Sequence, residues 1–120
     1  VSGDDGLDEI SICGPTRVIR VAEGKTEELI VTPEDFGMEP ASLEDVVGGT
    51  PQENAVATLA VFDGERSARR DLVLLNAAAA IYTSGMVDDL AAGVVAAADS
   101  IDSSSASRLL AHLVSFTADQ

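Results

Sequence analysis

The chain has 120 residues and carries 21 acidic against 7 basic side chains, which gives a net charge of −14 at pH 7. This charge argues against direct binding to nucleic acids, because a phosphate backbone requires a basic surface. Disorder is excluded as well, since 46% of the residues are apolar and they occur in periodic blocks. The length corresponds to one domain, or a piece of one, and the apolar run Leu72–Tyr82 is too short to span a membrane.

The acidic charge has two explanations, an acidic interaction surface or adaptation to concentrated salt. At molar salt the Debye length shrinks to about 3 Å, so repulsion between like charges is screened. Lys25 is the only lysine beside six arginines, and the acids are spread along the chain rather than gathered in a tail. The composition therefore favours a protein from a salt-adapted organism.

The single cysteine and the first residues bear on the cellular location. Cys13 has no partner for an internal disulfide, which fits a reducing compartment and predicts a cytoplasmic protein. The polar, acidic N-terminus does not resemble a signal peptide. The chain begins at Val1 instead of Met, which indicates a fragment or a processed product.

The stretch Gly3–Glu9, called the acidic loop below, concentrates the chemistry. It holds two glycines and four carboxylates, those of Asp4, Asp5, Asp8 and Glu9. The glycines and the mutual repulsion of the acids disfavour a helix, and an irregular backbone would let Asp8 and Glu9 converge. Such hard oxygen ligands suit Mg²⁺, whereas the spacing does not match a calcium-binding loop. The alternative is a solvated acidic turn without a ligand.

A β-hairpin and a series of helices are predicted after the acidic loop. The hairpin pairs Thr16–Ala22 with Thr26–Thr32 around a turn at Glu23-Gly24-Lys25. Helix-start signals occur at Thr32-Pro33, at Ser42 and at Thr50-Pro51, where Glu53 completes a capping box. The six predicted helical segments are a single turn after Thr32, a short helix from Ser42 to Gly48-Gly49, a mostly buried helix ending at Phe62, and helices at Ser67–Ser84, Val87–Ile101 and Ser104–Thr117.

The predicted helix Ser67–Ser84 is apolar almost all round its circumference, which is typical of a helix buried in the centre of a larger domain. Asn54 and Asn76 lie inside apolar material, where an amide must form hydrogen bonds, most simply with neighbouring backbone groups. A direct role in substrate binding is the lesser alternative. The Arg69-Arg70-Asp71 run indicates local ion pairing, with phosphate binding as the lesser alternative. His112 has no ligand partners and is a structural or surface histidine. The sequence contains no catalytic triad, P-loop, dinucleotide-binding turn or internal repeat.

An ordered series of motifs resembles the C-terminal third of the anthranilate phosphoribosyltransferases. The matching residues are Gly3 with Gly6-Leu7-Asp8-Glu9-Ile10-Ser11, Gly14-Pro15-Thr16, Thr32-Pro33-Glu34-Asp35-Phe36-Gly37, Ala41-Ser42-Leu43-Glu44-Asp45, Gly48-Gly49, Glu53-Asn54-Ala55, Arg70-Asp71 and Leu75-Asn76-Ala77-Ala78-Ala79. The resemblance covers nearly all 120 residues. One departure is Ser2, where the family commonly has a histidine.

The resemblance implies an α/β fold, the C-terminal part of a nucleoside phosphorylase/phosphoribosyltransferase-type α/β domain, here one β-hairpin followed by about five helices. It implies a glycosyltransferase of tryptophan biosynthesis that moves a phosphoribosyl group from phosphoribosyl diphosphate to anthranilate. The family's Gly-Leu-Asp-Glu motif binds Mg²⁺, so Asp8 would hold one ion and Glu9 would lie between it and a second. Residues 1–120 would then carry no catalytic residue beyond these metal ligands, and their substrate contacts are not identified.

The family's N-terminal helical domain, through which a homodimer would form, and its diphosphate-binding loop have no counterpart in residues 1–120. The chain alone is therefore expected to be inactive. The remaining hypotheses are a non-enzymatic acidic module that binds a protein or cations, a truncated fragment, and a nucleoside phosphorylase of the same fold. The last is disfavoured by the Gly-Leu-Asp-Glu and Glu-Asn-Ala motifs.

Overall fold

A three-stranded antiparallel sheet and five α-helices make up the computed structural model, which describes residues 1–118. This confirms the α/β class and the expected number of helices. In chain order the elements are β1 (Ser2–Gly3), β2 (Thr16–Ala22), β3 (Lys25–Val31), a 3₁₀ turn (Pro33–Phe36), α1 (Leu43–Val46), α2 (Pro51–Phe62), α3 (Ala68–Thr83), α4 (Leu90–Asp102) and α5 (Ser105–Ala118).

The predicted hairpin is present, with a turn shorter than expected. Ala22 pairs with Lys25, so only Glu23 and Gly24 form the turn, and both have positive φ, at 51° and 73°. A two-residue turn of this kind matches the natural twist of the strands. Lys25 was predicted in the turn, and it belongs instead to β3. The third strand, β1, was not anticipated, because two residues are too few to show an alternating pattern.

The helix starts follow the sequence signals closely. The carboxylate of Glu53 accepts a hydrogen bond from the Thr50 backbone N–H at 2.8 Å, and the Thr50 hydroxyl accepts one from the Glu53 N–H at 3.3 Å. The predicted capping box is therefore confirmed. The 3₁₀ turn and α1 begin in the same way. The Asp35 carboxylate accepts a hydrogen bond from the backbone N–H of the cap residue Thr32 at 2.8 Å, and the Asp45 carboxylate accepts one from that of Ser42 at 3.1 Å.

Helix α3 lies between two apolar clusters, as its composition predicted. Leu74 belongs to one cluster and the adjacent Leu75 to the other. The buried members of the first are Val61, Leu74, Ala97 and Ile101, and those of the second are Ile10, Ile12 and Leu75. Because neighbouring positions on a helix point about 100° apart, the apolar circumference of α3 serves both clusters.

The prediction that α2 is mostly buried is wrong. Only Val61 is buried, whereas the side chains of Val56 and Leu59 are 68% and 51% exposed. The apolar residues of α2 are spread around its axis, and within residues 1–118 it packs mainly through its C-terminal turn. Composition indicated burial, but it did not indicate which elements would cover the helix.

Helix α4 begins three residues later than predicted and packs very closely on α3. Its cap is Asp89, whose carboxylate accepts a hydrogen bond from the Ala92 N–H at 2.7 Å. At Gly93 the two backbones approach so closely that a Cβ atom would lie 2.7 Å from the Ala78 carbonyl oxygen. Glycine at this position therefore sets the distance between the two helices.

The final helix, α5, carries apolar side chains on an exposed face. Leu109, Leu113 and Phe116 are 70%, 56% and 67% exposed within the described chain. His112 is also exposed, which agrees with the second of its two predicted roles, a structural or a surface histidine. No helix among residues 1–118 combines the length and the apolar character that crossing a membrane requires.

Arg70 forms a long-range ion pair, and the predicted local pairing with Asp71 is wrong. Its guanidinium is fully buried and donates a hydrogen bond to the Asp102 carboxylate, 32 residues away, at 2.7 Å. Its Nε and Nη1 atoms have no hydrogen-bond partner within residues 1–118. Arg69 donates to the Val47 carbonyl at 3.2 Å. A fully buried guanidinium is not open to a phosphate, which rules against that alternative for Arg70.

Replacing Gly93 by alanine is expected to destabilise the fold by up to about 2 kcal/mol. The overpacking of the α3–α4 contact costs about 1–3 kcal/mol and outweighs the better helix propensity of alanine, which is worth about 1 kcal/mol. Urea unfolding of the native polypeptide, meaning the protein as the organism makes it, measures the change in unfolding free energy. Gly14→Ala is the matched control, because a Cβ there meets no atom within 4 Å. Equal stability of the two variants would contradict the proposed close approach.

Replacing Asp102 by asparagine is expected to cost about 3 kcal/mol of unfolding free energy, because it leaves the charge of Arg70 buried without a partner. Adding Arg70→Met to this variant should recover most of the loss. Glu28→Gln, which breaks an exposed pair with Arg17, serves as the comparison and should cost less than about 1 kcal/mol. Thermal unfolding measures the loss. Equal decreases in Tm for Asp102→Asn and Glu28→Gln would refute the assignment of Asp102 as the partner that neutralises the buried Arg70.

The hydrogen bonds from the Thr50 hydroxyl and backbone N–H lower the pKa of Glu53. The stabilisation of the α2 start is thus present above the ordinary pKa of a glutamate and is lost as the pH falls through the lowered value. Thr50→Ala should raise the pKa of Glu53 towards its ordinary value, as followed by carbon-detected NMR titration. Ser42→Ala should move the pKa of Asp45 in the same direction while leaving Glu53 unchanged.

Candidate metal centre

The acidic loop is a tight, irregular turn, as predicted from its glycines. The Gly3 N–H donates to the Leu7 carbonyl at 2.9 Å, and the Gly6 N–H donates to the Gly3 carbonyl at 3.1 Å. Gly6 adopts a φ of 93°, a conformation that side-chain-bearing residues rarely adopt. Pairing of β1 with Arg17 and Thr16 of β2 holds the start of the loop on the sheet.

Asp5 stabilises the turn from inside, a role that the sequence analysis did not assign. Its Oδ1 accepts a hydrogen bond from the Leu7 N–H at 3.0 Å, and its Oδ2 accepts one from the hydroxyl of Ser11. The bond from Ser11 is the main cause of a lowered pKa for Asp5. Aspartate commonly binds the backbone two residues ahead, and this tendency could have indicated its role.

The carboxylates of Asp8 and Glu9 remain free. Asp8 is exposed and Glu9 is half-buried, and neither accepts a hydrogen bond or forms an ion pair with any part of residues 1–118. Asp4 is also exposed, and its backbone N–H donates to the Pro15 carbonyl at 3.0 Å. In the acidic loop, Asp5 therefore stabilises the turn, while the adjacent carboxylates of Asp8 and Glu9 are available to bind a cation.

The free carboxylate oxygens fit a hard cation whose coordination shell is only partly supplied by the protein. In the described part of the chain, no group of three or more His, Cys, Asp or Glu side chains is arranged to hold a metal. A closed zinc site needs such a group, whereas Mg²⁺ is commonly bound by one or two carboxylates together with water and substrate phosphates. Two free carboxylates on a fixed loop match the second case.

The segment that follows the two carboxylates is among the most buried in the chain. Ile10, Ser11 and Ile12 are 2%, 1% and 0% exposed. The Ser11 N–H donates to the hydroxyl of the fully buried Thr16 at 2.9 Å. The side-chain amide of Asn76, in the middle of α3, binds both backbone groups of Ile10 at 2.9 Å. The loop is thus anchored to the core directly after Glu9.

Both asparagines bind backbone groups, which confirms that prediction. Asn54 accepts a hydrogen bond from the Gly49 N–H at 2.8 Å and donates one to the Gly49 carbonyl at 3.2 Å. Its predicted position inside apolar material is wrong, because it lies at the exposed start of α2. Asn76 is half-buried and faces the segment that follows the acidic loop.

Comparison with known proteins supports the resemblance seen in the sequence. Residues 1–107 match the model of a glycosyl transferase family, described as its a/b domain. The anthranilate phosphoribosyltransferase of Methanobrevibacter smithii is 44% identical over 117 residues, which is 98% of this chain and 35% of that protein. The chain thus spans about a third of the length of the curated relatives it matches.

Two solved structures from Saccharomyces cerevisiae share the fold. An anthranilate phosphoribosyltransferase in complex with 4-fluoroanthranilate has a TM-score of 0.86 and 28% identity, covering 99% of this chain and 35% of its own. The same enzyme in complex with PRPP and Mg has a TM-score of 0.84 and 25% identity, covering 99% and 34%. These matches, together with the family model, confirm the resemblance to anthranilate phosphoribosyltransferases. The chain therefore belongs to the glycosyl transferase family and matches its a/b domain.

Proposed function

We propose that this chain carries the magnesium-binding region of an anthranilate phosphoribosyltransferase. The reaction moves the phosphoribosyl group of phosphoribosyl diphosphate to the amine of anthranilate and releases diphosphate. The observation that carries the proposal is that a relative with this name matches 98% of the chain at 44% identity, while the family model matches residues 1–107, which include the acidic loop. Relatives that bind PRPP with Mg, or an anthranilate analogue, support the same substrates here.

Asp8 and Glu9 are the proposed metal ligands. Asp8 would hold one Mg²⁺, and Glu9 would lie between this ion and a second. A bound Mg²⁺ neutralises the negative charge that develops on the departing diphosphate and orients the substrate. The free state of both carboxylates supports this assignment, because neither must give up a hydrogen bond or an ion pair within residues 1–118 to bind a cation.

Asp5 and Ile10 hold the backbone on the two sides of these ligands. Asp5 keeps its charge through the hydrogen bond from Ser11 and holds the turn before Asp8. The buried Ile10 holds the chain after Glu9. A loop whose shape is already set loses less conformational entropy when it binds a cation.

The rest of the catalytic machinery is proposed to lie outside residues 1–120. The curated relatives are about three times as long, and among residues 1–118 no group of three or more His, Cys, Asp or Glu side chains is arranged to hold a metal. We therefore propose that this chain is the C-terminal portion of the α/β domain, and that a helical domain and a diphosphate-binding loop precede it. A homodimer through that helical domain follows from the same resemblance.

Asp8→Asn and Glu9→Gln in the native polypeptide should each lower kcat/KM for phosphoribosyl transfer by at least about 100-fold at limiting Mg²⁺. Metal stabilisation of developing charge is worth several kcal/mol, and each 1.4 kcal/mol corresponds to a tenfold change in rate. Steady-state assays over a range of Mg²⁺ concentrations measure the effect. The control is Asp4→Asn, which removes an exposed charge from the same loop and should change the rate less than about threefold.

Two outcomes would refute the proposal. If the native polypeptide shows no anthranilate-dependent release of diphosphate, the assigned reaction is wrong. If transfer occurs but Asp4→Asn lowers it as much as Asp8→Asn does, the loop acts through its overall charge, and the assignment of individual ligands is wrong.

A further inference from the structure

Two asparagine side chains in this fold make the same uncommon arrangement. Asn76 accepts a hydrogen bond from the Ile10 N–H and donates one to the Ile10 carbonyl, both at 2.9 Å. Asn54 accepts from the Gly49 N–H at 2.8 Å and donates to the Gly49 carbonyl at 3.2 Å. Each amide therefore binds both backbone polar groups of a single residue, in the way that a neighbouring β-strand would.

The amide of Asn76 is held from its own helix as well. Its Nδ2 atom also donates to the Leu72 carbonyl, one turn earlier in α3, at 3.0 Å. Three hydrogen bonds thus fix one side-chain orientation, and they join the middle of α3 to Ile10. The Ile10 side chain packs in the same cluster as Leu75, so both apolar packing and hydrogen bonding attach Ile10 to α3.

Ile10 follows Glu9 directly, so the bond to its N–H fixes the peptide that joins the two residues. Asp8 and Glu9 make no side-chain bond or ion pair of their own within the described residues. The direction of the Glu9 carboxylate is therefore set by the backbone that carries it. Asp5 determines this backbone before the pair, and Asn76 determines it after the pair.

We infer that Asn76 is a positioning residue for the metal centre, acting by holding the Glu9–Ile10 peptide against α3. This inference rests on the proposed function, because it takes Asp8 and Glu9 as the cation ligands. Partners that orient a metal ligand typically affect metal affinity by 10- to 100-fold. Loss of the Asn76 amide is expected to fall at the lower end of this range, since Asp5 still holds the other side of the loop.

The test compares Asn76→Ala with Asn54→Ala in the native polypeptide. Both changes remove an amide that binds one backbone residue, both lie in helices, and both introduce the residue with the best helix propensity. Mn²⁺ serves as the probe, and electron paramagnetic resonance of the free ion gives its Kd. We expect Asn76→Ala to raise this Kd about tenfold and Asn54→Ala to change it less than about twofold.

Steady-state kinetics supply a second measurement. Asn76→Ala should raise the Mg²⁺ concentration that gives half-maximal transfer by a similar factor, whereas the KM for anthranilate should change little. A general loss of packing would instead lower the active fraction and leave the Mg²⁺ dependence unchanged. Circular dichroism and the Tm of each variant establish that the fold is retained.

Asn76→Asp covers the case in which the alanine variant does not fold. It keeps the side-chain volume and the acceptor for the Ile10 N–H, but it loses both donated bonds. A folded Asn76→Asp protein should bind Mn²⁺ at least about threefold more weakly than the unaltered protein. Affinity equal to that of the unaltered protein would overturn the inference, and so would an equal effect of Asn54→Ala.

Asp8→Asn separates the two levels of the proposal. If it weakens Mn²⁺ binding while the folded Asn76 variants do not, the metal centre stands and only the positioning role is wrong. If the unaltered polypeptide does not bind Mn²⁺ even with phosphoribosyl diphosphate present, or if Asp8→Asn leaves binding unchanged, the metal centre itself is wrong and the positioning role fails with it.

Discussion

The attachment of Ile10–Ile12 to helix α3 is the contact on which the rest of this structure depends. Ile10 and Ile12 pack against Leu75, while Asn76, the next residue of α3, binds the backbone of Ile10. Burial of the two isoleucines supplies the apolar free energy, and the amide fixes their position along the helix. Through this contact, the cluster of Ile10, Ile12 and Leu75 is joined along α3 to the cluster of Val61, Leu74, Ala97 and Ile101.

The acidic loop owes its shape to this attachment. Four carboxylates within seven residues would repel one another in a mobile segment, but only one of them has internal hydrogen-bond donors here. The Asp5 carboxylate accepts hydrogen bonds from Leu7 and Ser11, whereas Asp8 and Glu9 make no side-chain hydrogen bond or ion pair within residues 1–118. The fold thus separates an acid that maintains the turn from acids that can receive a cation, a distinction that residue type does not reveal.

Several apolar surfaces remain exposed within the described residues. They include Ile19 and Ile30 of the hairpin, Val56 of α2 and Phe116 of α5, each at least 50% exposed. Single exposed apolar side chains are common on protein surfaces, but here they recur along entire elements. The curated relatives are about three times as long as this chain, and a longer polypeptide offers the material to cover such faces.

Local signals in the sequence determined the elements, and tertiary contacts decided what those elements do. The Thr50–Glu53 capping box, the turn at Gly24 and the irregular acidic loop depend on residues close in the chain, so the sequence was sufficient to predict them. The Arg70–Asp102 pair spans 32 residues and the Asn76–Ile10 contact spans 66, and no local pattern encodes such partners. Burial of α2 was misjudged for the same reason, because an apolar composition shows that a helix needs cover and only the packed structure shows where that cover lies.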